Sequence, residues 1–196
     1  MDTDTDDRLH ILVRALTARA DLDPRLPVAV GDLHVTATID VRWAWPRPAA
    51  TLVVDRTTAE QWPQDALAGL VAHQLGYIAL GYIRFDVYVL YAARHILPVV
   101  AAVIGVWGII EFAMLPMMLI VGAGLLLAKQ AVLWILRHRV YAADRFAVDL
   151  IGAAPVRAML CLQNEGRGAR NAIRQHWAPR THPTIEQRLR ARAVRS

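Results

Sequence analysis

The stretch LVAHQLGYIALGY, residues 70–82, contains the residues whose types and spacing come nearest to a catalytic pattern. His73 and Tyr77 are four residues apart, so in a helix they share one face, one turn apart. Two imidazoles at this spacing hold Zn²⁺, and a glutamate directly after the first serves as a general base. Here the second imidazole position is Tyr77 and the base position is Gln74. The stretch therefore carries half of a metal-binding pattern.

The elements around this stretch can be predicted from the spacing of apolar residues. The first 20 residues favour an amphipathic helix, and the alternation in HVTATIDVR, with the runs LPVAV and ATLVVD, predicts about three short strands. From about Gln64 the apolar residues recur at helical spacing and place His73 on a long helix. Further helices follow residue 137, the first of them closing at Gly152.

A strongly apolar segment separates these two halves. From Ile96 to Leu136 the only formal charges are Glu111 and Lys129, over a length that is about twice a bilayer span. We expect two spans, at residues 96–112 and 115–136, with Glu111 at the tip and Lys129 reaching back toward the interface or pairing within a protein assembly. Arginines flank the outer ends, which indicates that both termini are cytoplasmic and the protein lies in the cytoplasmic membrane.

The composition limits the classes of partner. The chain has 56% hydrophobic residues and a net charge of +5, and twelve arginines against four acids follow Leu136. No recognition-helix or stacking-aromatic pattern accompanies the arginines, so anionic lipid and ordinary solubility explain them better, and we expect no nucleic-acid partner. Cys161 is the single cysteine, which excludes an internal disulfide. The acidic start MDTDTDD does not look like a cleavable signal peptide.

Four pieces in order resemble one family: HQLGY, the apolar segment, VYAADRFAVDLIG, and THPTIEQR. The chain is similar, over about residues 20–192, to membrane zinc metallopeptidases of the HtpX and CAAX prenyl protease type. Members of that family carry H-E-x-x-H, then a transmembrane hairpin, then E-x-x-x-D, then H-P-x-x-x-x-R. The family's N-terminal pair of spans is missing, and TATI, residues 36–39, is at best a remnant of its N-A-F-A strand motif.

This resemblance implies a fold class and a division of the chain. The expected fold is α+β and mostly α-helical, a zincin-like metallopeptidase domain with a small antiparallel sheet and an inserted two-helix transmembrane hairpin. Residues 1–20 would form the N-terminal amphipathic helix, and residues 21–94 the first part of the peptidase-like domain. Residues 95–136 would form the hairpin, and residues 137–196 the C-terminal helical part.

Carried over residue by residue, the family's zinc site is degenerate in this chain. His73 keeps the first ligand, but Gln74 replaces the base, Tyr77 the second ligand, and Val140 the third ligand, expected four residues before Asp144. A neutral glutamine cannot accept the proton, which typically costs about 10²- to 10⁴-fold. Valine offers no lone pair. The resemblance thus predicts no catalytic residue, no metal and no cofactor.

Besides His73, the family pattern is retained at Asp144, which supports the site, and at His182, Pro183 and Arg188 of H-P-x-x-x-x-R. In their plainest roles, Asp144 bonds His73 or a nearby arginine, and His182 caps or anchors the last helix. Alternatively, His73, Asp144 and His182 together hold zinc in a non-standard arrangement. A further alternative is that HQLGY is only an apolar helix with a core histidine.

The function expected from this pattern is that of a membrane-anchored pseudopeptidase. It would bind a protein partner as an adaptor, regulator or subunit of a membrane complex, for instance by adding an extended peptide to the edge of its sheet. One alternative is an active HtpX-like zinc metalloendopeptidase with a non-standard site. Another is a purely structural subunit of a membrane complex.

Overall fold

The structure is a computed structural model that describes residues 3–33, 35–42, 49–82, 99–100, 103, 114–170, 183–184, 187–188 and 190. Its elements are α1 (Thr3–Arg19), β1 (Val28–Gly31), β2 (Ala37–Arg42), β3 (Ala49–Asp55), α2 (Arg56–Gln61), α3 (Gln64–Ala79), α4 (Met114–Ile151) and α5 (Ala153–Arg170). The prediction of a mostly helical α+β domain with three short strands is confirmed.

The sheet is mixed, with the strand order β1-β3-β2. β2 pairs with β3 in the antiparallel sense, but β1 pairs with β3 in parallel, so Leu52 of β3 lies between Val28 and Ile39. The expectation of an antiparallel sheet is therefore wrong for β1. The physical reason is the burial of β3, whose Leu52 and Val54 are completely buried. This apolar strand takes the centre, and β1 and β2 flank it instead of forming a hairpin with each other.

Helix α3 lies at the centre of the core. It packs against α1, β2, α4 and α5, and its residues from Ala66 to Gly76 are almost all buried. The predicted amphipathic helix at the N-terminus is confirmed, because Leu9, Val13 and Leu16 of α1 belong to the same apolar core. The helix that carries HQLGY is thus held on several sides, and its side chains have little freedom to move.

Helix α4 is a single 38-residue helix, about 57 Å long at 1.5 Å per residue. The predicted boundary between residues 136 and 137 falls inside it, so the second predicted span and the helix that follows form one continuous rod. The rod ends at Ile151, where Gly152 adopts a φ of 88° and donates to the carbonyl of Val148 at 2.8 Å. This is the left-handed cap that favours glycine, and it confirms the predicted end at Gly152.

No transmembrane hairpin is found among the described residues, since none of the helices there is long and apolar enough to cross a membrane. The predicted first span, residues 96–112, lies outside the described residues except at 99, 100 and 103. Glu111 also lies outside them, and the side chain of Lys129 is not described. The roles predicted for these two charges therefore stay predictions.

Candidate functional site

His73 is buried on α3 and meets Tyr77 one turn later on the same face. The two rings are in edge-to-face contact, with centroids 5.3 Å apart and planes at 88°. The predicted shared face is confirmed. Gln74, at the position of the family's base, is half-buried beside His73. The helix begins after Pro63, whose carbonyl accepts the N–H of Leu67 at 3.0 Å.

A close approach of α3 to α4 brings Asp144 to His73. A Cβ added at Gly76 would lie 3.0 Å from Cα of Ala143, which is tighter than side chains normally allow. Because Gly76 has no Cβ, the two backbones pack together at this point. Nδ1 of His73 then lies 2.9 Å from Oδ1 of Asp144.

Arg188 holds the same carboxylate from the C-terminal segment. It donates from Nε to Oδ2 of Asp144 at 2.7 Å and from Nη2 to Oδ1 at 2.6 Å. Its Nη1 reaches Oε1 of Gln163 on α5 at 3.5 Å. We call His73, Asp144, Arg188 and Gln163 the site network. Sequence reasoning missed Gln163, because one glutamine in the run AMLCLQNE carries no distinguishing pattern.

Asp144 is held as an anion inside this network. Burial by itself would raise the pKa of Asp144, but the hydrogen bonds from Arg188 and His73 outweigh it and bring the pKa to about 2. Paired N–H donors in a fork match the two oxygens of a carboxylate, which makes such pairs strong and directional. Asp144 thus bonds Arg188 through both oxygens and lies 2.9 Å from Nδ1 of His73.

Tyr77 is a poor substitute for the imidazole of a zinc site. A phenol differs from an imidazole in acid–base chemistry as well as in shape. Burial raises the pKa of Tyr77 to about 12, so its phenol stays protonated at neutral pH. Its ring also lies 6.4 Å from that of Tyr82, and the guanidinium of Arg139 sits 5.0 Å above Tyr82. Tyr82 and Arg139 thus extend the contact between His73 and Tyr77 by a second phenol ring and a cation. Sequence reasoning identified neither residue.

Val140 lies one helical turn before Asp144 on α4 and is buried. A hydrocarbon therefore occupies the position of the third ligand. The structure brings together His73, Tyr77, Asp144 and Arg188, whereas His182 lies outside the described residues and its predicted role as an anchor or ligand stays a prediction.

The side chains of the site network do not supply the three ligands of a zinc site. Metal ligation needs lone pairs that are free of other partners. Asp144 accepts from Arg188 with both oxygens, and the positions of the second and third ligands hold a protonated phenol, Tyr77, and a buried hydrocarbon, Val140. The contact of Nδ1 of His73 with Asp144 is one that zinc-binding histidines also make, so the misfit comes from Tyr77 and Val140. Within the described ranges, no three His, Cys, Asp or Glu side chains are grouped so that they could hold a metal ion.

A search of curated proteins finds no significant match to this sequence. The model of peptidase family M48 matches residues 6–194, from α1 to beyond Arg188. The match includes the mixed sheet, the HQLGY helix and the carboxylate and arginine that join α4 to the C-terminal segment. The chain therefore belongs to peptidase family M48.

Proposed function

We propose that this chain is a catalytically inactive member of peptidase family M48, attached to a membrane, that acts by binding protein. The observation that carries this proposal is what stands at the second and third ligand positions: a phenol that stays protonated, Tyr77, and a buried hydrocarbon, Val140. Both oxygens of Asp144 accept from Arg188, and the pKa of Tyr77 is raised to about 12 by burial. With two of the three ligands replaced, the site lacks the donor atoms that would fix a zinc ion beside His73.

The residue chemistry supports the loss of catalysis at two independent points. Gln74 cannot take a proton from water, and removal of a general base typically costs about 10²- to 10⁴-fold. Tyr77 and Val140 supply no imidazole or carboxylate, so the water would also lack the cation that makes it nucleophilic at neutral pH. Loss of the cation is the more severe of the two, because an enzyme that lacked only its general base would still be slowly active.

The sheet offers a means of holding protein that does not depend on metal. In the described part of the sheet, β2 pairs with β3 on one side only, and it packs against α3, the helix of His73. An extended peptide can add to such an edge through main-chain hydrogen bonds. The proposed partner is therefore a protein segment in extended conformation.

Membrane attachment is supported by exposed apolar side chains on α4. Leu126 and Leu127 are 63% and 70% exposed, and Trp134 is 68% exposed. Val99 and Val103 are similarly exposed in the segment before it. An apolar surface of this kind favours contact with lipid or with a partner protein, which suits an adaptor, regulator or subunit of a membrane complex.

Metal analysis with a restored site tests the loss of catalysis. The full chain is purified in mild detergent beside the combined variant Gln74→Glu, Tyr77→His and Val140→Glu. Zinc content and chelator-sensitive hydrolysis of an unfolded protein are then measured. We expect substoichiometric zinc and no hydrolysis in the parent chain, and zinc in the combined variant that is lost when His73→Ala is added. Equimolar zinc in the parent chain, lost on His73→Ala, would overturn the proposal.

Site-specific photocrosslinking tests protein binding. A photoreactive side chain replaces Asp40, exposed on β2, or Leu127, 70% exposed on α4, or, as the matched control, Ile11, 69% exposed on α1. We expect the β2 position to capture one protein from the native membrane, and the α1 position not to capture it. Capture from Leu127 alone would favour the purely structural subunit. Equal capture from both Asp40 and Ile11 would contradict binding at the sheet edge.

A further inference from the structure

Trp134 stacks on His138 at the surface of α4, where an apolar ring and a polar ring remain accessible together. The two rings are nearly parallel, with planes at 11° and centroids 5.5 Å apart. Trp134 is 68% exposed, and His138, one helical turn later, is also exposed. Tryptophan is enriched where a membrane meets water, because its ring is apolar over most of its surface and carries one polar N–H. The stack therefore has the composition of a membrane-interface contact.

The other exposed residues of this part of α4 share one broad face with Trp134. At about 100° per residue, those described from Ala123 to His138 fall within an arc of roughly 160°, with Trp134 at its middle. Val132 and Leu136, which are half-buried, lie on the opposite side of the helix. We call the exposed residues from Ala123 to His138 the outer face of α4.

The outer face changes from apolar to charged along the helix. Leu126 and Leu127 near its start are 63% and 70% exposed. The first formal charge among the exposed residues described on this face is that of Arg137, and Gln130 lies about 6 Å before Trp134 along the helix axis. In a membrane, hydrocarbon gives way on each side to a polar headgroup layer about 5–7 Å thick. The residues of the outer face therefore follow the order and the spacing of that boundary.

The width of the outer face favours lipid over a partner helix. The contact between two helices occupies a narrow seam on each of them, whereas lipid covers every exposed side chain of a broad arc. Gly124 lies on this arc, and a Cβ added there would meet nothing within 4 Å. No neighbour among the described residues closes the outer face at that point.

We propose that the outer face of α4 contacts lipid, with Leu126 and Leu127 against hydrocarbon and the Trp134–His138 stack at the level of the headgroups. The inference rests on the membrane attachment in the proposed function and adds the level at which the chain meets the membrane. It concerns contact with lipid and not the crossing of a bilayer. Asp144 follows Trp134 on the same helix at about 15 Å along the axis. The site network therefore lies close to the membrane surface, within reach of membrane-proximal segments of a protein partner.

Depth-dependent quenching of Trp134 fluorescence tests the level of the stack. The full chain is placed, one copy each, in lipid nanodiscs whose lipid is brominated either near the headgroup or near the ends of the acyl chains. Because the chain has six tryptophans, the signal of Trp134 is the difference between the parent chain and Trp134→Phe. We expect bromine near the headgroup to quench this difference at least about twofold more strongly than deep bromine. Equal or stronger quenching by deep bromine, or none by either, would overturn the proposal.

Cysteine reactivity in the same nanodiscs tests the contact of the outer face with lipid. Leu127→Cys and Arg145→Cys are treated with a charged maleimide, and the natural Cys161, exposed on α5, is the reference within each molecule. We expect Leu127→Cys to react at least about tenfold more slowly than Cys161, because hydrocarbon excludes a charged reagent. Arg145→Cys, also at an exposed position of α4, is the matched control and should react at a rate similar to that of Cys161.

The outcomes separate this inference from the proposed function. A chain that enters nanodiscs while positions 127 and 145 react equally fast would overturn the lipid contact alone. Protection of position 127 that appears only in nanodiscs with two copies would also overturn it, because a second copy of the chain would then cover the outer face. A chain that does not enter nanodiscs would overturn both the lipid contact and the membrane attachment.

Discussion

Gly76 and Ala143 pack backbone against backbone where α3 crosses α4. A Cβ on Gly76 would lie 3.0 Å from Cα and 3.1 Å from the carbonyl oxygen of Ala143. Gly76 precedes Tyr77, and Ala143 precedes Asp144. The contact of two small residues therefore sets how far the HQLGY helix stands from the carboxylate that meets His73.

Replacement of Gly76 by alanine tests this crossing. Gly76→Ala should lower the free energy of unfolding by about 1–3 kcal/mol, because the added methyl group must push α4 away. Chemical denaturation of the full chain in mild detergent measures the change. Gly122→Ala on α4 is the control, because a Cβ there meets nothing within 4 Å. Alanine at that helical position should stabilise by up to about 1 kcal/mol, so equal losses at both glycines would contradict the close packing.

Asp55, a buried carboxylate at the end of β3, should be costly to remove, because it caps α2 and binds the segment after β1. It accepts the N–H of Leu33 at 2.9 Å and of Thr58 at 3.3 Å, and the hydroxyl of Thr57. Burial opposes its charge, but these donors lower the pKa of Asp55 below its usual value. Asp55→Ala should cost about 1–3 kcal/mol of unfolding free energy.

Asp32→Ala is the matched control for Asp55→Ala. Asp32 pairs with Arg56 at 3.3 Å, but its side chain is 86% exposed, so its loss should change stability by less than about 1 kcal/mol. Denaturation of both variants under one condition gives the comparison. Similar losses of unfolding free energy in the two variants would mean that the hydrogen bonds of Asp55 do not stabilise the start of α2.

Local patterns predicted much of the fold, and contacts between distant residues account for what they missed. The 3.6-residue spacing placed His73 and Tyr77 on one face, and Gly152 marked the end of α4. The parallel pairing of β1 depends on which strand is buried in the centre, and no local pattern in VAVG specifies that. The pairing of Arg188 with Asp144, 44 residues apart, was expected only as a nearby arginine. Gln163 joined the site through tertiary packing alone.

Tyr77 should ionise at a higher pH than an ordinary tyrosine side chain. Since burial raises the pKa of Tyr77 to about 12, above a usual value near 10, the neutral phenol stabilises the fold fully below about pH 10. That contribution is lost as the pH rises through about 12. Tyrosinate absorbance followed against pH, parent minus Tyr77→Phe, should give a midpoint near 12. A midpoint near 10 would mean that the phenol is open to water and that this helix face is not packed.

Asp144 should make the domain sensitive to acid in a defined window. Its pKa of about 2 in the folded chain lies below the usual value of 3.8, so the folded state binds its proton less tightly than the unfolded chain does. The resulting stability is fully present above about pH 4 and is lost as the pH falls to about 2, and it amounts to about 2 kcal/mol. Asp144→Asn should flatten the slope of unfolding free energy against pH in this window. A slope that survives Asp144→Asn would show that the carboxylate does not hold Arg188 as an ionised partner in solution, because an ionised, arginine-bonded aspartate must release its proton on folding.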